Sequence, residues 1–250
     1  MKAIISDIHA NVEAFQAVLK DMQYQGATEI ICLGDFVGYG PNPKECIDLA
    51  VDFDVALRGN HEHALLTERE GANFNIKAKN SIEWTRQQLN PLGDDSEANT
   101  KRWNFLDGLE TTHTEGDILY VHGTPRDAIT EYLYPRDIYD EEKLQSIFAK
   151  VDWLCFCGHT HVPGIWTEDM LYLTPREVNC RYHLVKKKTI INVGSVGQPR
   201  DGDTRATYVL FDGSCVIFRK VAYRVETTAR KIRSIPQLDP YLAQRLLDGR

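Results

Sequence analysis

The sequence predicts an α/β fold with a parallel sheet first, a helical insertion next, and a strand-rich remainder that builds a second sheet. Three observations predict it. Strand-length apolar runs alternate with amphipathic helical stretches from "KAIIS" to "DVALRG", the segment at about 62–112 turns helical and polar, and strand-like runs then recur with one helix among them. "KAIIS" has the apolar character of a buried strand. "NVEAFQAVLKDMQYQG" follows with Phe15, Val18, Leu19 and Met22 at helical spacing, Asn11 to cap it and Gly26 to end it. "TEIICLG" is a second strand, "PKECIDLAV" a helix opened by Asn42 and Pro43, and "DVALRG" a third strand. In the insertion, "NIKAKNSIEWTRQQL" and "NTKRWNFLDGL" are helical on either side of the turn-rich "NPLGDDSEA". "DILYVHG", "DWLCFCG", "TIINVGS", "ATYVLFD" and "CVIFRKVAY" are strand-like, "DEEKLQSIFAKV" is a helix that Asp140 caps, and "DPYLAQRLLDG" is a terminal amphipathic helix. The chain, 1–250, reads as one domain with a helical cap at about 62–112.

Composition narrows the function classes. A chain of 250 residues, 42% hydrophobic and 26% charged, is ordinary globular material with enough length for a substantial core. The apolar run before Asp7 is too short for a signal-peptide core, and no stretch approaches the ~18 apolar residues of a membrane span, so a cytoplasmic location is expected and no membrane partner. A formal charge of -7 argues against general nucleic-acid binding, which draws on excess Lys and Arg. The six cysteines lie in apolar segments without a second C-x-C or C-x-x-C pair to complete a zinc site, and read as buried reduced thiols.

The polar residues just past each strand carry the chemistry. They are Asp7 and His9, then Asp35, then Asn60 and His61, then His122, then His159 and His161. In an open parallel sheet such strand ends converge on one crevice, so residues far apart in sequence become neighbours. Five of the eight histidines fall there; His63, His113 and His183 have no such context and read as surface or packing residues. The set suits two divalent transition-metal ions. Asp35 would be shared, Asp7, His9 and His161 would complete one site, and Asn60, His122 and His159 the other. Mixed nitrogen and oxygen donors fit manganese first, with iron, zinc or nickel as alternatives. Two ions about 3.5–4 Å apart can activate a shared water and clamp a phosphoryl group.

"SDIHAN", "LGDFVGYG", "RGNHEH", "VHGTP" and "CGHTHVPG" resemble, in order, the five motifs of the calcineurin-like metallophosphoesterase superfamily. The likeness runs on to "NVGSVGQPRDGD", which is similar to a final motif of the small prokaryotic phosphodiesterase-like branch. The resemblance implies a four-layer α/β/β/α double β-sandwich and the same ligand set. It also implies attack on phosphorus by a metal-bound hydroxide, with His61 donating a proton to the leaving oxygen. Glu62 would either orient His61 or serve the helix start, and Asn192 and Ser195 would shape the rim of the site. The complete ligand set argues against a non-catalytic interaction protein on this fold.

Substrate is where the chain departs from the protein serine/threonine phosphatase branch. That branch continues its second motif with Asp-Arg; here Gly38 and Tyr39 stand there, so a small phosphodiester or nucleotide-type ester is expected. A dinucleoside polyphosphate or a phosphoprotein is the alternative. Tyr39 is available to stack on a base or aryl group. Arg58, Arg126 and Arg200 are candidate phosphate contacts, the last two balanced against local Arg-Asp pairing. Trp84 and Trp103 either roof the site or pack as core.

Overall fold

The computed structural model describes residues 1–67, 74–93 and 95–250, so residues 68–73 and 94 of the 62–112 segment lie outside the described residues. The apolar strand β1 (Lys2–Ile5) leads into α1 (Val12–Tyr24). The Asn11 carboxamide oxygen accepts the Ala14 N–H at 3.2 Å, and Phe15, Val18 and Met22 are buried at the expected spacing. Then come β2 (Glu29–Cys32), α2 (Pro43–Ala50) and β3 (Val55–Ala56), which holds only two residues of the run "DVALRG". The helices α3 (Asn60–Leu66), α4 (Ile76–Gln88) and α5 (Ser96–Asp107) follow.

The remainder opens with β4 (Thr112–Glu115) and β5 (Ile118–Val121), then α6 (Glu141–Phe148), whose Asp140 side chain accepts the Lys143 N–H at 3.0 Å. Next come β6 (Leu154–Cys157), β7 (Gly164–Thr167), β8 (Leu171–Leu173), β9 (Arg181–His183) and β10 (Thr189–Asn192). The chain closes with β11 (Ala206–Phe211), β12 (Cys215–Val221), α7 (Val225–Ser234) and α8 (Pro240–Asp248).

These strands form two six-stranded sheets, β3-β2-β1-β11-β12-β9 and β4-β5-β6-β10-β7-β8, among the described residues. Parallel pairing holds β1, β2 and β3 together in one and β5, β6 and β10 in the other. The C-terminal strands therefore do not make a sheet of their own. Strands β11 and β12 extend the first sheet antiparallel beyond β1, because β11 buries all six of its side chains and needs cover on both faces.

Strand alternation sorts the core into layers. Ile4, Ile31, Val209 and Phe218 of the first sheet meet Leu154, Phe156, Ile165 and Ile191 of the second. Ala3, Ile5 and Cys32 turn outward onto Phe15, Val18 and Ile47 of α1 and α2. Cys155 and Cys157 turn outward onto Leu144, Ile147 and Phe148 of α6. The result is the expected α/β/β/α four-layer double β-sandwich. Trp84 packs with Val225, Ile232, Leu242 and Leu246 of α7 and α8, and the Trp103 indole N–H donates to the Leu89 carbonyl at 2.6 Å, so both are core residues. Five cysteines are buried as expected, while Cys180 is exposed in the loop before β9. No helix among the described residues is long and apolar enough to cross a membrane.

Candidate metal centre

The loops after β1, β2, β5 and β6, together with the start of α3 after β3, bring eight polar side chains to one buried point. Each is at most 8% exposed. Asp7, His9, Asp35, His159 and His161 all adopt positive φ, between 48° and 66°. Non-glycine residues seldom do so, and such backbone persists only where the surroundings fix it. Glycines let the loops close. A Cβ on Gly59 would come within 2.1 Å of the Asp35 carboxylate, and one on Gly38, itself at φ 85°, within 2.0 Å of His61 Nδ1.

Four imidazoles are tied down through one nitrogen each. His9 Nδ1 donates to the Val37 carbonyl (3.0 Å), His122 Nδ1 to Leu33 (3.1 Å), His159 Nε2 to Thr130 (3.1 Å) and His161 Nδ1 to Gln198 (2.5 Å). A carbonyl can only accept, so these contacts set the tautomer and leave the opposite nitrogen as a bare lone pair. Those lone pairs face one another. His9 Nε2 and His161 Nε2 are 3.1 Å apart, and His122 Nε2 lies 3.0 Å from both His159 Nδ1 and the Asn60 carboxamide oxygen. Between them sits Asp35, whose Oδ2 is 3.6 Å from His9 Nε2 and 3.5 Å from His122 Nε2. Asp7 Oδ1 is 3.1 Å from His161 Nε2 and, among the described residues, is a buried oxygen with no hydrogen bond.

Acceptors crowded against acceptors in a buried space call for cations. The trios Asp7–His9–His161 and Asp35–His122–His159 each present ligand atoms within 4.8 Å of one another. The residues present thus fit divalent metal. A third trio, His9–Asp35–His61, shares that spacing, but His61 differs from the other histidines. Its Nε2 is 4.0 Å from Asp35 Oδ2 and its Nδ1 is buried with no carbonyl to hold it, so its tautomer is not fixed.

Burial drives all five imidazoles toward the neutral form. His9, His61 and His159 are pushed well below their ordinary range, His122 is lowered, and His161 falls to about 4. Burial, with the charges of Glu62 and Asp7 added, raises the Asp35 carboxyl well above its usual value. Burial opposes ionisation of Asp7 too, but the close approach of His161 at 3.1 Å holds that carboxyl low. Glu62, fully buried, is raised by burial to about 7.

Glu62 does not touch His61. Its carboxylate accepts the N–H groups of Asp35 (2.8 Å), Gly59 (3.0 Å) and Val37 (3.1 Å), which clamps the loop after β2 to the first turn of α3. Asn192 and Ser195 likewise lie beneath the site rather than on its rim, both fully buried. Asn192 donates to the Gly158 carbonyl (2.5 Å) and Ser195 to the Asp7 carbonyl (2.9 Å).

Of the four candidate substrate contacts, two stand beside the cluster. The Tyr39 ring is 4.6 Å from the rings of His9 and His61, and the Arg200 guanidinium lies 5.9 Å from the Tyr39 ring. The other two are engaged elsewhere: Arg58 donates to the Asp107 carbonyl (2.6 Å), and Arg126 pairs with Glu131. Three neighbours have no signal in the sequence. Tyr132 stacks on His159 at 3.7 Å, Phe74 packs on His61 at 4.9 Å, and Arg245 reaches Tyr39 from α8. Their contacts depend on which loops the fold brings together.

A double β-sandwich with paired Asp/His trios at its strand ends defines a metal-dependent hydrolase. Residues 1–214 match the calcineurin-like phosphoesterase superfamily domain, and the chain belongs to that family, whose members hydrolyse phosphoric esters. Over its whole length it is similar to the metallophosphoesterase of Sphaerobacter thermophilus, at 36% identity and a TM-score of 0.82, covering 98% of that chain. It is also 36% identical to the uncharacterized protein MJ0912 of Methanocaldococcus jannaschii, covering all of this chain and 98% of the relative. The hypothetical protein PH1004 of Pyrococcus horikoshii shares the fold at 18% identity and a TM-score of 0.75, with 100% and 99% of the two chains covered.

Proposed function

We propose that the chain is a dinuclear phosphoesterase acting on small phosphodiester or nucleotide-type esters. The observation that carries this reading is the meeting of two acceptor-only nests at one shared carboxylate, Asp35. Asp7, His9 and His161 would hold one ion, and Asn60, His122 and His159 the other. When bound, two divalent ions, manganese foremost, would lower the pKa of a water between them and neutralise a phosphoryl group.

The protein's own contribution is placement and protons. The carbonyls of Leu33, Val37, Thr130 and Gln198 hold the ligand imidazoles in register. His61, 4.0 Å from Asp35, would deliver a proton to the leaving oxygen once an anionic phosphate beside it offsets the burial that keeps its imidazole neutral. Tyr39 would lie along a flat leaving group, and Arg200 beside it would meet phosphate oxygens of the substrate.

Metal analysis and a substrate panel test this. Manganese-reconstituted protein is expected to hold two ions per chain and to turn over a bis-aryl phosphate faster than a phosphoserine peptide. At most one ion would end the dinuclear reading, and a phosphopeptide preference of about tenfold, a difference of ~1.4 kcal/mol, would end the substrate assignment.

A further inference from the structure

The arginines flanking Tyr39 pose a question that the ligand cluster does not answer. Arg200 lies on the loop after β10, its Nε spent on the Gln198 side chain at 2.9 Å. Arg245 lies on α8, outside the segment matched by the family domain, its Nε spent on the Arg250 carbonyl at 3.0 Å. The two guanidinium carbons sit 5.9 and 5.8 Å from the same Tyr39 ring, and both side chains are half-buried. Neither forms an ion pair with an Asp or Glu side chain among the described residues, and the neighbouring Asp201 and Asp203 are taken by Lys220 and Arg205. Burial and the charge of Arg200 together depress Arg245, so the two cations work against each other as they stand.

The fold holds this pair in place. Leu242, Ala243 and Leu246 bury α8 against α7 and Trp84, and the Asp239 side chain caps it through the Tyr241 N–H at 2.8 Å. The Gly202 N–H donates to the Gly249 carbonyl at 3.0 Å, which docks the end of α8 onto the loop that carries Arg200. His9, Tyr39, Gln198 and Arg245 line one small cavity of about 10 Å³, which puts the Arg245 side chain in the neighbourhood of the His9 ring.

We propose that Arg200 and Arg245 form an anion subsite for a second phosphate, next to the phosphate held over the metal ligands. The preferred substrates are then nucleotide-type esters with two or more linked phosphates, rather than simple diesters. This rests on the reading of the cluster as a phosphoesterase centre. Each guanidinium is a planar fork of N–H donors that suits phosphate oxygens, and the Arg245 fork also meets the Tyr39 side chain. Arg200 lies beside the ligands, its backbone N–H donating to the His161 carbonyl at 3.3 Å, and Arg245 reaches the same Tyr39 ring from α8. Two cations at one ring beside the ligands suit a second phosphate linked to the first.

The test is calorimetric binding of AMP and of the non-hydrolysable methylene analogue of ADP to manganese-loaded protein, at a fixed free manganese concentration. The wild type is expected to bind the diphosphate about tenfold more tightly, as charge-assisted hydrogen bonds to one further phosphate allow. Arg245→Gln should bring the ratio to within about twofold, and Arg245→Lys should keep part of it, since a point charge replaces a fork. A wild-type ratio near one, or a wild-type ratio retained in Arg245→Gln, overturns the subsite. Should Arg245→Gln fail to fold, Arg200→Gln and Arg245→Lys decide by the same ratio. Hydrolysis of bis-aryl phosphate, measured alongside, separates the two readings: no turnover sinks the phosphoesterase proposal, whereas the binding ratio reports on the subsite alone.

Discussion

His61 and Asp35 are 4.0 Å apart yet have different proposed duties, and single substitutions separate them. Asp35→Asn removes the carboxylate that stands between His9 of one trio and His122 of the other, so at least one ion should be lost, as elemental analysis would record. His61→Ala leaves both trios intact. Metal content should stay at the wild-type level while turnover of a poor leaving group falls by ~10²–10⁴-fold, the usual range for a missing general acid. Full turnover in that variant removes His61 from the proton path.

Among the elements, the joint between the loop after β2 and the start of α3 shows how the centre is assembled. Three buried N–H groups end on the Glu62 carboxylate. In Glu62→Ala they lose their acceptor together, at about 1–3 kcal/mol for each unsatisfied group. Urea denaturation at neutral pH should therefore show a loss of at least ~3 kcal/mol, and a midpoint unchanged from wild type would mean that water or a shifted loop replaces the clamp. This joint also marks where the sequence stops being legible. The five strand-end motifs can be read because an apolar run followed at once by a polar residue is a local pattern. Glu62 can be read only as a helix-start acid, since its partners, Asp35 and Val37, lie a strand and a helix away in sequence. The short strands β4 and β9 are largely solvated and carry no apolar run, and β8, apolar in "LYL", is only three residues long. Helix α7 buries Val225, Thr228, Ala229 and Ile232 on one face, but threonine and alanine at those positions blur its apolar stripe. The pairing of β11 and β12 with β1 is a choice between sheets that no local spacing encodes.

For the molecule as a whole, buried titratable groups set the response to acid. Five histidines stay neutral in the metal-free fold below their ordinary value of 6.5, while the unfolded chain protonates them. Asp35 and Glu62, raised above their ordinary values, bind protons in the folded state and oppose the trend. Five outnumber two, so between pH 6.5 and 4.5 the unfolded state binds more protons and stability falls as pH falls. Each net proton contributes ~1.4 kcal/mol per pH unit. Chelated protein should accordingly lose denaturant midpoint steadily from pH 6.5 to 4.5, and a flat profile would show the imidazoles to be charged or exposed. Adding manganese at neutral pH should raise the midpoint with concentration, as any ligand of the native state does.

The left-handed backbone at Asp7, His9, Asp35, His159 and His161 has a consequence for descent as well as for chemistry. A side chain in that conformation costs about 1–2 kcal/mol relative to ordinary backbone, and glycine would relieve it. Random drift thus has a slope at these positions, downhill toward replacements that ease the fold and discard the ligand. A lineage with no use for the centre would slide along that slope, one ligand after another. A chain that carries the whole set forgoes that easing at five positions at once.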